Sequence, residues 1–341
     1  MRKYQFSADK RNFKIVLSPD FRDALKENIR NSDHLEGIVP EIILHQYVNS
    51  PFSEKIRKIF AHKKITWRSV EQPVIMPKPK LIPLTGGYRR IPVLQIGADV
   101  WSDTGIIIRK IDELKPEPTL YPNGLTAAAD TMNQFADRRL FWSTTPVIFE
   151  KLAAVVPKDF IEDRSKMMRG ASFAEITLVA PDARNQLRAF LDILDRQLAS
   201  RAFSLGDSFS LADAACFHPV WFLCAEPTAF GHAKKFTNLM RWFERIDAMG
   251  AGDVRPMDPD EALKIARESA PATRENIDDS DPNGLKAGTK VSVTPDDYGF
   301  DPVTGRVVVS TIHEIAIERE DPELGKIVNH FPKIGFRIAA A

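Results

Sequence analysis

The sequence predicts an α/β domain, then an all-α helical domain, then a small all-β extension, either barrel or meander. Three observations carry this. Residues 41–112 alternate short apolar runs with amphipathic stretches in the order βαβ…ββα. Residues 124–265 change to apolar positions three and four apart, the period of helices with one buried face. Residues 289–341 fall into short β-rich runs separated by turn residues. The expected divisions are an N-terminal extension at 1–40, the α/β domain at 41–115, the helical domain at 124–265, a linker at 266–288 and the β domain at 289–341.

In the first forty residues, Phe13-Lys14-Ile15-Val16-Leu17 reads as a strand and 19–30 as a helix opening after Ser18. The segment lacks the apolar stretch and small-residue cleavage site of a secretory signal, and its residues leave open whether it is a genuine extension or an early start. The first strand of the α/β domain is Glu41-Ile42-Ile43-Leu44-His45-Gln46-Tyr47. A turn through Val48-Asn49-Ser50-Pro51-Phe52 then leads into a helix from about Ser53 to residue 63. A proline in a first helical turn loses no hydrogen bond, and a hydroxyl just before it caps free amides. Ile56, Ile59 and Phe60 share the apolar face of this helix, and Lys55, Arg57 and Lys58 are expected to turn away from it. A helix N-terminus carries partial positive charge and free N–H groups, so a thiolate placed there is stabilised, and a serine hydroxyl adds a charge-assisted hydrogen bond. Ser50 and Ser53 suit that role and plain capping alike.

The stretch Pro73 to Pro83 is long, apolar and proline-rich, which argues for an extended crossover instead of a regular helix. Leu84-Thr85-Gly86-Gly87-Tyr88 is a tight turn, since paired glycines permit positive φ. Arg89-Arg90-Ile91-Pro92-Val93-Leu94 reads as a core strand opened by a proline, although proline cannot donate to a sheet ladder. Within it, Arg89 and Arg90 are read as ligand contacts or as solvated loop charges. In Trp101-Ser102-Asp103-Thr104-Gly105-Ile106, Thr104 is expected to cap a helix carrying Ile106, Ile107, Ile108 and Ile111.

Past Pro116-Glu117-Pro118, helices are expected at 127–141, 180–198, 211–222 and 235–249. Ser210 and Asp213 form an S-x-x-D capping pair ahead of the apolar run 214–222. The polar stretch 266–288, with its acids and Pro282-Asn283-Gly284, reads as the linker. Beyond it, strands are expected at 290–294, 306–311, 314–319, 326–331 and 336–338.

The first strand with Ser50-Pro51, the proline-opened strand and Asp103-Thr104, in this order, resemble the N-terminal domain of the cytosolic glutathione transferase superfamily. The Ser210–Asp213 box resembles the core helix of its C-terminal domain, so the resemblance covers roughly residues 41–250. It implies a thioredoxin-like, glutathione-binding domain of the serine type, with Ser50 catalytic and Tyr47 its rival. It further implies a cis peptide before Pro92, the backbone of Ile91 paired with the cysteinyl part of glutathione, and Arg90 on the glycine carboxylate. Asp103 and Thr104 would hold the γ-glutamyl end, and Phe52 and Ser53 would complete the glutathione site. Phe141 and Trp142, with Phe149, Phe173, Met167 and Met168, would line a site for a hydrophobic electrophile. Arg138 and Arg139 are read from their residues as contacts for a bound anionic substrate or as solvated helix charges. The absence of cysteine at the strand-to-helix turn argues against thiol–disulfide chemistry, which needs a nucleophilic thiol there. The activity implied is glutathione conjugation, a detoxifying transferase reaction with glutathione as co-substrate, in a homodimer. A glutathione-dependent ether-cleaving enzyme and a non-catalytic scaffold of the same fold are the alternatives.

Bulk composition fits an ordinary soluble protein: 341 residues, net charge +1 and 43% hydrophobic content, with no apolar run long enough to span a membrane. Residues 283–341 hold seven Lys/Arg against eight Asp/Glu, so a nucleic-acid partner is disfavoured. Cys216 and Cys224 read as buried thiols of a reducing, cytoplasmic protein. The seven histidines are scattered without metal-ligand spacing, so no metal is expected. The chain also carries no G-x-G-x-x-G and no P-loop, which sets dinucleotide and nucleotide chemistry aside.

Overall fold

The computed structural model of the chain describes residues 4–9, 12–17, 41–168 and 172–341. Strands β1 (Tyr4–Asp9) and β2 (Asn12–Leu17) form an antiparallel hairpin of their own. The strand expected at 13–17 falls in β2, and the helix expected over 19–30 lies outside the described residues. The thioredoxin-like unit follows as β3 (Ile43–Gln46), α1 (Pro51–Lys63), β4 (Thr66–Glu71), the single-turn α2 (Ile82–Thr85), β5 (Val93–Ile96), β6 (Asp99–Ser102) and α3 (Thr104–Leu114). β3 runs parallel to β4 and antiparallel to β5, and β5 pairs antiparallel with β6. The Ile91–Pro92 peptide is cis, as the resemblance implied. The proline-rich crossover keeps one helical turn only, closed by Gly86 at φ 66°.

The helical region opens with α4 (Thr126–Phe135), continued through a π-helical turn, Ala136–Leu140, into α5 (Phe141–Leu152). Then come α6 (Lys158–Met167), α7 (Phe173–Leu178), α8 (Ala180–Gln197), α9 (Leu211–Leu223), α10 (Pro227–Ala233) and α11 (Thr237–Asp247). The expected capping box is present: the Asp213 carboxylate accepts from the Ser210 backbone N–H at 2.9 Å and from its hydroxyl at 2.6 Å. α9 is buried almost all round, which is why no single apolar stripe marks it, and it packs across α1.

That packing corrects one expectation. Lys55, Arg57 and Lys58 are buried, because the face of α1 turned away from the sheet meets the helical domain instead of water. Each cation therefore has acceptors. Lys55 Nζ donates to Asn133 at 2.8 Å and to Asp137 at 2.7 Å. Arg57 holds Glu54 at 2.7 Å and the Val48 carbonyl at 2.8 Å. Lys58 reaches Glu54 at 3.1 Å and the Gly250 carbonyl at 3.0 Å. His218, on α9, closes the first group, with Nε2 3.0 Å from Asp137.

After the helices the chain returns to the first sheet. β7 (Asp253–Pro256), which no sequence pattern announced, lies parallel to β4. Gly252 permits the approach: its φ is 77°, and a Cβ there would stand 3.0 Å from the Ile65 carbonyl oxygen. α12 (Pro259–Glu268) follows, then β8 (Asn276–Ile277), β9 (Lys290–Pro295), β10 (Val303–Ser310), β11 (Glu314–Asp321), β12 (Gly325–Pro332) and β13 (Phe336–Ala340). β9 to β12 form an antiparallel meander, with β13 on the outer side of β9.

The meander does not close into a barrel. β12 pairs in parallel with β6, in the register Val328↔Asp99, Asn329↔Val100, His330↔Trp101, so one 11-stranded sheet runs from β13 to β7. The edge of β6 offers unpaired backbone groups, and the meander also supplies apolar cover for the neighbouring face. Leu84, Tyr88, Val93 and Val100 share a buried cluster with Val293, Ile317, Ile327 and Phe331. The stretch 266–288, read as a linker, is tied down at several points. β8 pairs with β10, Asp99 accepts from the Ala272 N–H at 2.6 Å, and Asp281 accepts from Ser310 at 2.8 Å. Among the described residues no helix is long and apolar enough to cross a membrane.

His330 staples this junction. Its ring stacks on Trp101 with centroids 4.4 Å apart, and its nitrogens lie 2.5 Å from Glu314 and 3.3 Å from Asp99. Burial alone would lower its pKa, but the hydrogen bonds and charges of Asp99 and Glu314 outweigh it and raise the value. A raised folded-state pKa stabilises below the unfolded value of about 6.5 and loses its effect as pH rises through the folded one. Wild type should therefore exceed His330→Gln in melting temperature by a wider margin at pH 6 than at pH 9. Equal margins at the two pH values would show that the ring is not charged in the fold.

Candidate functional site

Ser50 sits where β3 gives way to α1. It is the N-cap of α1, with φ −75° and ψ 118°, and Pro51 follows in the first turn. Its Oγ accepts the Ser53 N–H at 3.1 Å, and its own hydrogen has no acceptor among the described residues. The residue is 1% exposed, yet it lines a cavity. A cap oxygen thus already fixed in place keeps one O–H donor to offer at the positive end of a helix.

Two neighbouring cavities lie here, and Ser50 lines the first. The first, of about 210 Å³, runs from Ser50 and Tyr47 between the sheet and the helical domain, and Phe141, Trp142, Phe149 and Phe173 form much of its wall. The second, of about 260 Å³, lies along Ile91, Pro92, Asp103 and Thr104. Phe52, Arg90, Ile91 and Tyr298 face both. The two cavities are therefore neighbouring compartments of one cleft.

In the second cavity, Asp103 and not Thr104 caps α3. Its Oδ1 accepts the Gly105 N–H at 2.8 Å, and Thr104 is the first helical residue. Asp103 stands at φ 95°, a strained conformation for a residue with a Cβ. Burial pushes its carboxyl above the ordinary range, and Arg90 pulls in the opposite direction. Such a carboxyl gains from a cationic partner.

A further part of the wall comes from the far end of the chain. The loop between β9 and β10 places Tyr298 over Arg90, with the guanidinium 3.9 Å from the ring centroid, and edge-on to Trp142 at 5.6 Å. Arg90 also holds the Asp297 carboxylate and the Tyr298 carbonyl. Arg138 binds Asp296 at 2.9 Å and Asp297 at 3.0 Å, and the Gly299 N–H donates to the Met167 carbonyl at 2.7 Å. Burial disfavours the charge on Arg90, but its surroundings, Tyr298, Tyr88, Asp297 and Asp103, more than compensate.

Residues 44–119 match the family model described as glutathione S-transferase, N-terminal domain, and residues 161–245 match its C-terminal domain. A GST-like protein from Pseudomonas syringae, known from its crystal structure, is 32% identical at a TM-score of 0.75. That match covers 89% of this chain and 100% of the other. The chain belongs to the glutathione S-transferase superfamily. An alignment of that length cannot stop at the helical domain and takes in added strands. A probable glutathione S-transferase from Nicotiana tabacum is 23% identical over 206 residues, 59% of this chain and 82% of the relative. Glutathione S-transferase U4 from Arabidopsis thaliana is 18% identical over 238 residues, 67% of this chain and 88% of the relative.

For this glutathione S-transferase homologue, the structure brings most of the sequence-derived site residues to the cleft. Ser50, Tyr47, Phe141 and Trp142 line the first cavity, Pro92, Asp103 and Thr104 the second, and Phe52, Arg90 and Ile91 both. Ser53 lines neither. Three positions after the cap, its N–H is held by Ser50 and its Oγ is buried without a hydrogen bond. Arg90 has protein partners that the sequence reading did not foresee, although its Nε remains buried without an acceptor. Sequence reasoning missed Asp297 and Tyr298 altogether. They lie in a run that reads only as a turn, and nothing local says that the turn reaches the cleft. Among the described residues no group of acids, histidines and cysteines is arranged to hold a metal.

Proposed function

We propose that this chain is an active glutathione transferase, which ionises the thiol of glutathione at Ser50 and joins it to an apolar electrophile in the first cavity. The observation that carries this reading is Ser50 itself, a buried cap with a free O–H at a helix N-terminus, facing an apolar cavity. The second cavity has the donor set that glutathione needs. Asp103 suits its ammonium group, the Thr104 hydroxyl and the start of α3 suit the γ-glutamyl carboxylate, and Arg90, on the wall of both cavities, suits the glycine carboxylate. The Ile91 backbone beside the cis peptide would pair with the cysteinyl unit.

The chemistry is a substitution or addition. The thiol proton passes to solvent, the sulfur forms a bond to the electrophilic carbon, and any leaving group departs with its bonding electrons. Lowering a thiol pKa from about 9 to about 6.5 makes most of it thiolate at neutral pH, a gain of roughly tenfold to a hundredfold. Holding both reactants in adjoining compartments adds proximity. The free thiols Cys216 and Cys224 support a reducing, cytoplasmic setting, and a homodimer is the family expectation.

Isothermal titration of glutathione, followed by turnover of an aryl-halide electrophile, tests the reading. Ser50→Ala should lower kcat/KM about tenfold to a hundredfold and change glutathione affinity much less, with Ser50→Thr recovering part of the loss. Ultraviolet thiolate absorbance of the bound tripeptide should fall in parallel. Wild-type turnover in Ser50→Ala would transfer the role to Tyr47. Glutathione binding without any turnover in the wild type would leave a scaffold.

A further inference from the structure

The wall of the first cavity is mostly apolar, with Ser50, Asn49 and Arg90 among its polar residues, and Lys78, Arg89 and Arg164 form a further basic group on it around Asp163. Among the described residues no aspartate or glutamate lines this cavity, and the counter-charge of this basic group is Asp163. Asp163 serves Arg89 and also Arg164, the latter at 2.5 Å, while among the described residues Lys78 donates to the Pro73 carbonyl and stands over the Tyr47 ring at 5.8 Å. The three cations therefore share one carboxylate. Lys78 is 3% and Arg89 9% exposed, and Arg89 Nε is buried without an acceptor. Burial and then Arg164, with a further contribution from Arg89, push the Lys78 ammonium down to about 7 although Asp163 opposes them. Three basic side chains around one carboxylate beside a mostly apolar space gain from an anion, which would also hold Lys78 in its protonated form.

We propose that the second substrate of this transferase is an acid: an apolar, aromatic electrophile whose carboxylate is bound by Lys78, Arg89 and Arg164. The inference rests on the first cavity being the electrophile site. Arg164 argues for the second substrate over glutathione. It is placed on α6 between Phe160 and Met167, which also line this cavity, and its guanidinium lies 4.5 Å from the Phe160 ring centroid. None of the three cations lines the second cavity. The aromatic walls would hold the body of the substrate, and the cationic end would set its direction, with the electrophilic carbon towards Ser50.

The test pairs 4-chloro-3-nitrobenzoate with 4-chloro-3-nitrobenzamide, each rate normalised to its uncatalysed reaction with glutathione. In both, sulfur bonds to the ring carbon bearing chlorine and chloride leaves with the electron pair. Wild type should favour the benzoate at least tenfold in kcat/KM, mainly through KM, and Lys78→Met and Arg164→Gln should each bring the ratio towards one. A wild-type ratio near one, with both compounds turned over, overturns the proposal and leaves the transferase reading intact.

A second arm needs no turnover. Unreactive 4-phenylbenzoate and 4-phenylbenzamide are titrated by tryptophan fluorescence, and the acid should bind at least tenfold more tightly in wild type only. That preference without turnover would support the anion site and count against the enzyme. A third arm compares glutathione with γ-glutamylcysteine. If Lys78→Met weakens only the tripeptide, the cations serve its glycine carboxylate and the proposal falls.

Discussion

Asp213→Ala should lower the free energy of unfolding by about 3–5 kcal/mol, since it strands several buried donors at once. The carboxylate lies in the first turn of α9 and accepts from the Ser204 N–H at 2.7 Å, the Trp242 indole at 2.8 Å, and Ser210 through backbone and hydroxyl at 2.9 and 2.6 Å. Those donors come from the loop before α9, its cap and α11, so one side chain holds three segments together. Burial pushes the Asp213 carboxyl upwards, and the same donors hold it back. Asp213→Asn preserves the shape but turns an NH2 towards groups that also donate, and it should recover only part of the loss. Denaturant unfolding decides the matter: a loss below about 1 kcal/mol, the size of a simple cap, would mean that water reaches the vacated donors.

Asp137→Ala should cost a similar amount, about 3–5 kcal/mol, for a different reason. Lys55 Nζ is fully buried between the two domains, and without Asp137 Asn133 is the one acceptor left to it among the described residues. His218 cannot help. Burial lowers its pKa to about 4, so its ring is neutral at pH 7 and donates from Nε2 to the same carboxylate. Burial would raise the pKa of Asp137 itself, but Lys55 and His218 together bring it below the ordinary value. Its contribution is therefore present at neutral pH and is lost as pH falls through the carboxylate range. The double variant Lys55→Met/Asp137→Leu should regain most of the stability, since apolar replacement of a buried ion pair is often neutral. If the double variant is as unstable as the single one, packing and not the stranded charge accounts for the loss.

What the sequence made legible is local. Ser50-Pro51 and the Ser210–Asp213 box each occupy a few neighbouring residues whose backbone chemistry has few solutions. The same holds for the meander, where alternation and turn residues located five strands. The cis peptide before Pro92 came from the resemblance, and at Asp103-Thr104 the helix start was read correctly but its cap one residue late. What stayed hidden depends on partners distant in sequence. Lys55, Arg57 and Lys58 look like a solvated face until α9 is laid across them. β7 is four residues long, and its pairing with β4 is decided by a glycine that allows close approach. Asp297 and Tyr298 look like an ordinary turn, and their place at the cleft follows from β12 joining β6, a pairing that no periodicity announces.

That pairing has a consequence for how the chain is made. Both flanks of the β6-β5-β3-β4 core are covered by segments from after the helical domain, β12 on one side and β7 on the other. As the polypeptide leaves the ribosome, its first folding unit emerges with two raw sheet edges. One of them stays open until residues some 230 positions downstream have been translated. Unprotected edges of that kind invite pairing with other nascent chains, and contacts so distant in sequence form slowly. Synthesis order thus leaves the β6 edge without its β12 partner from the translation of the one strand until that of the other.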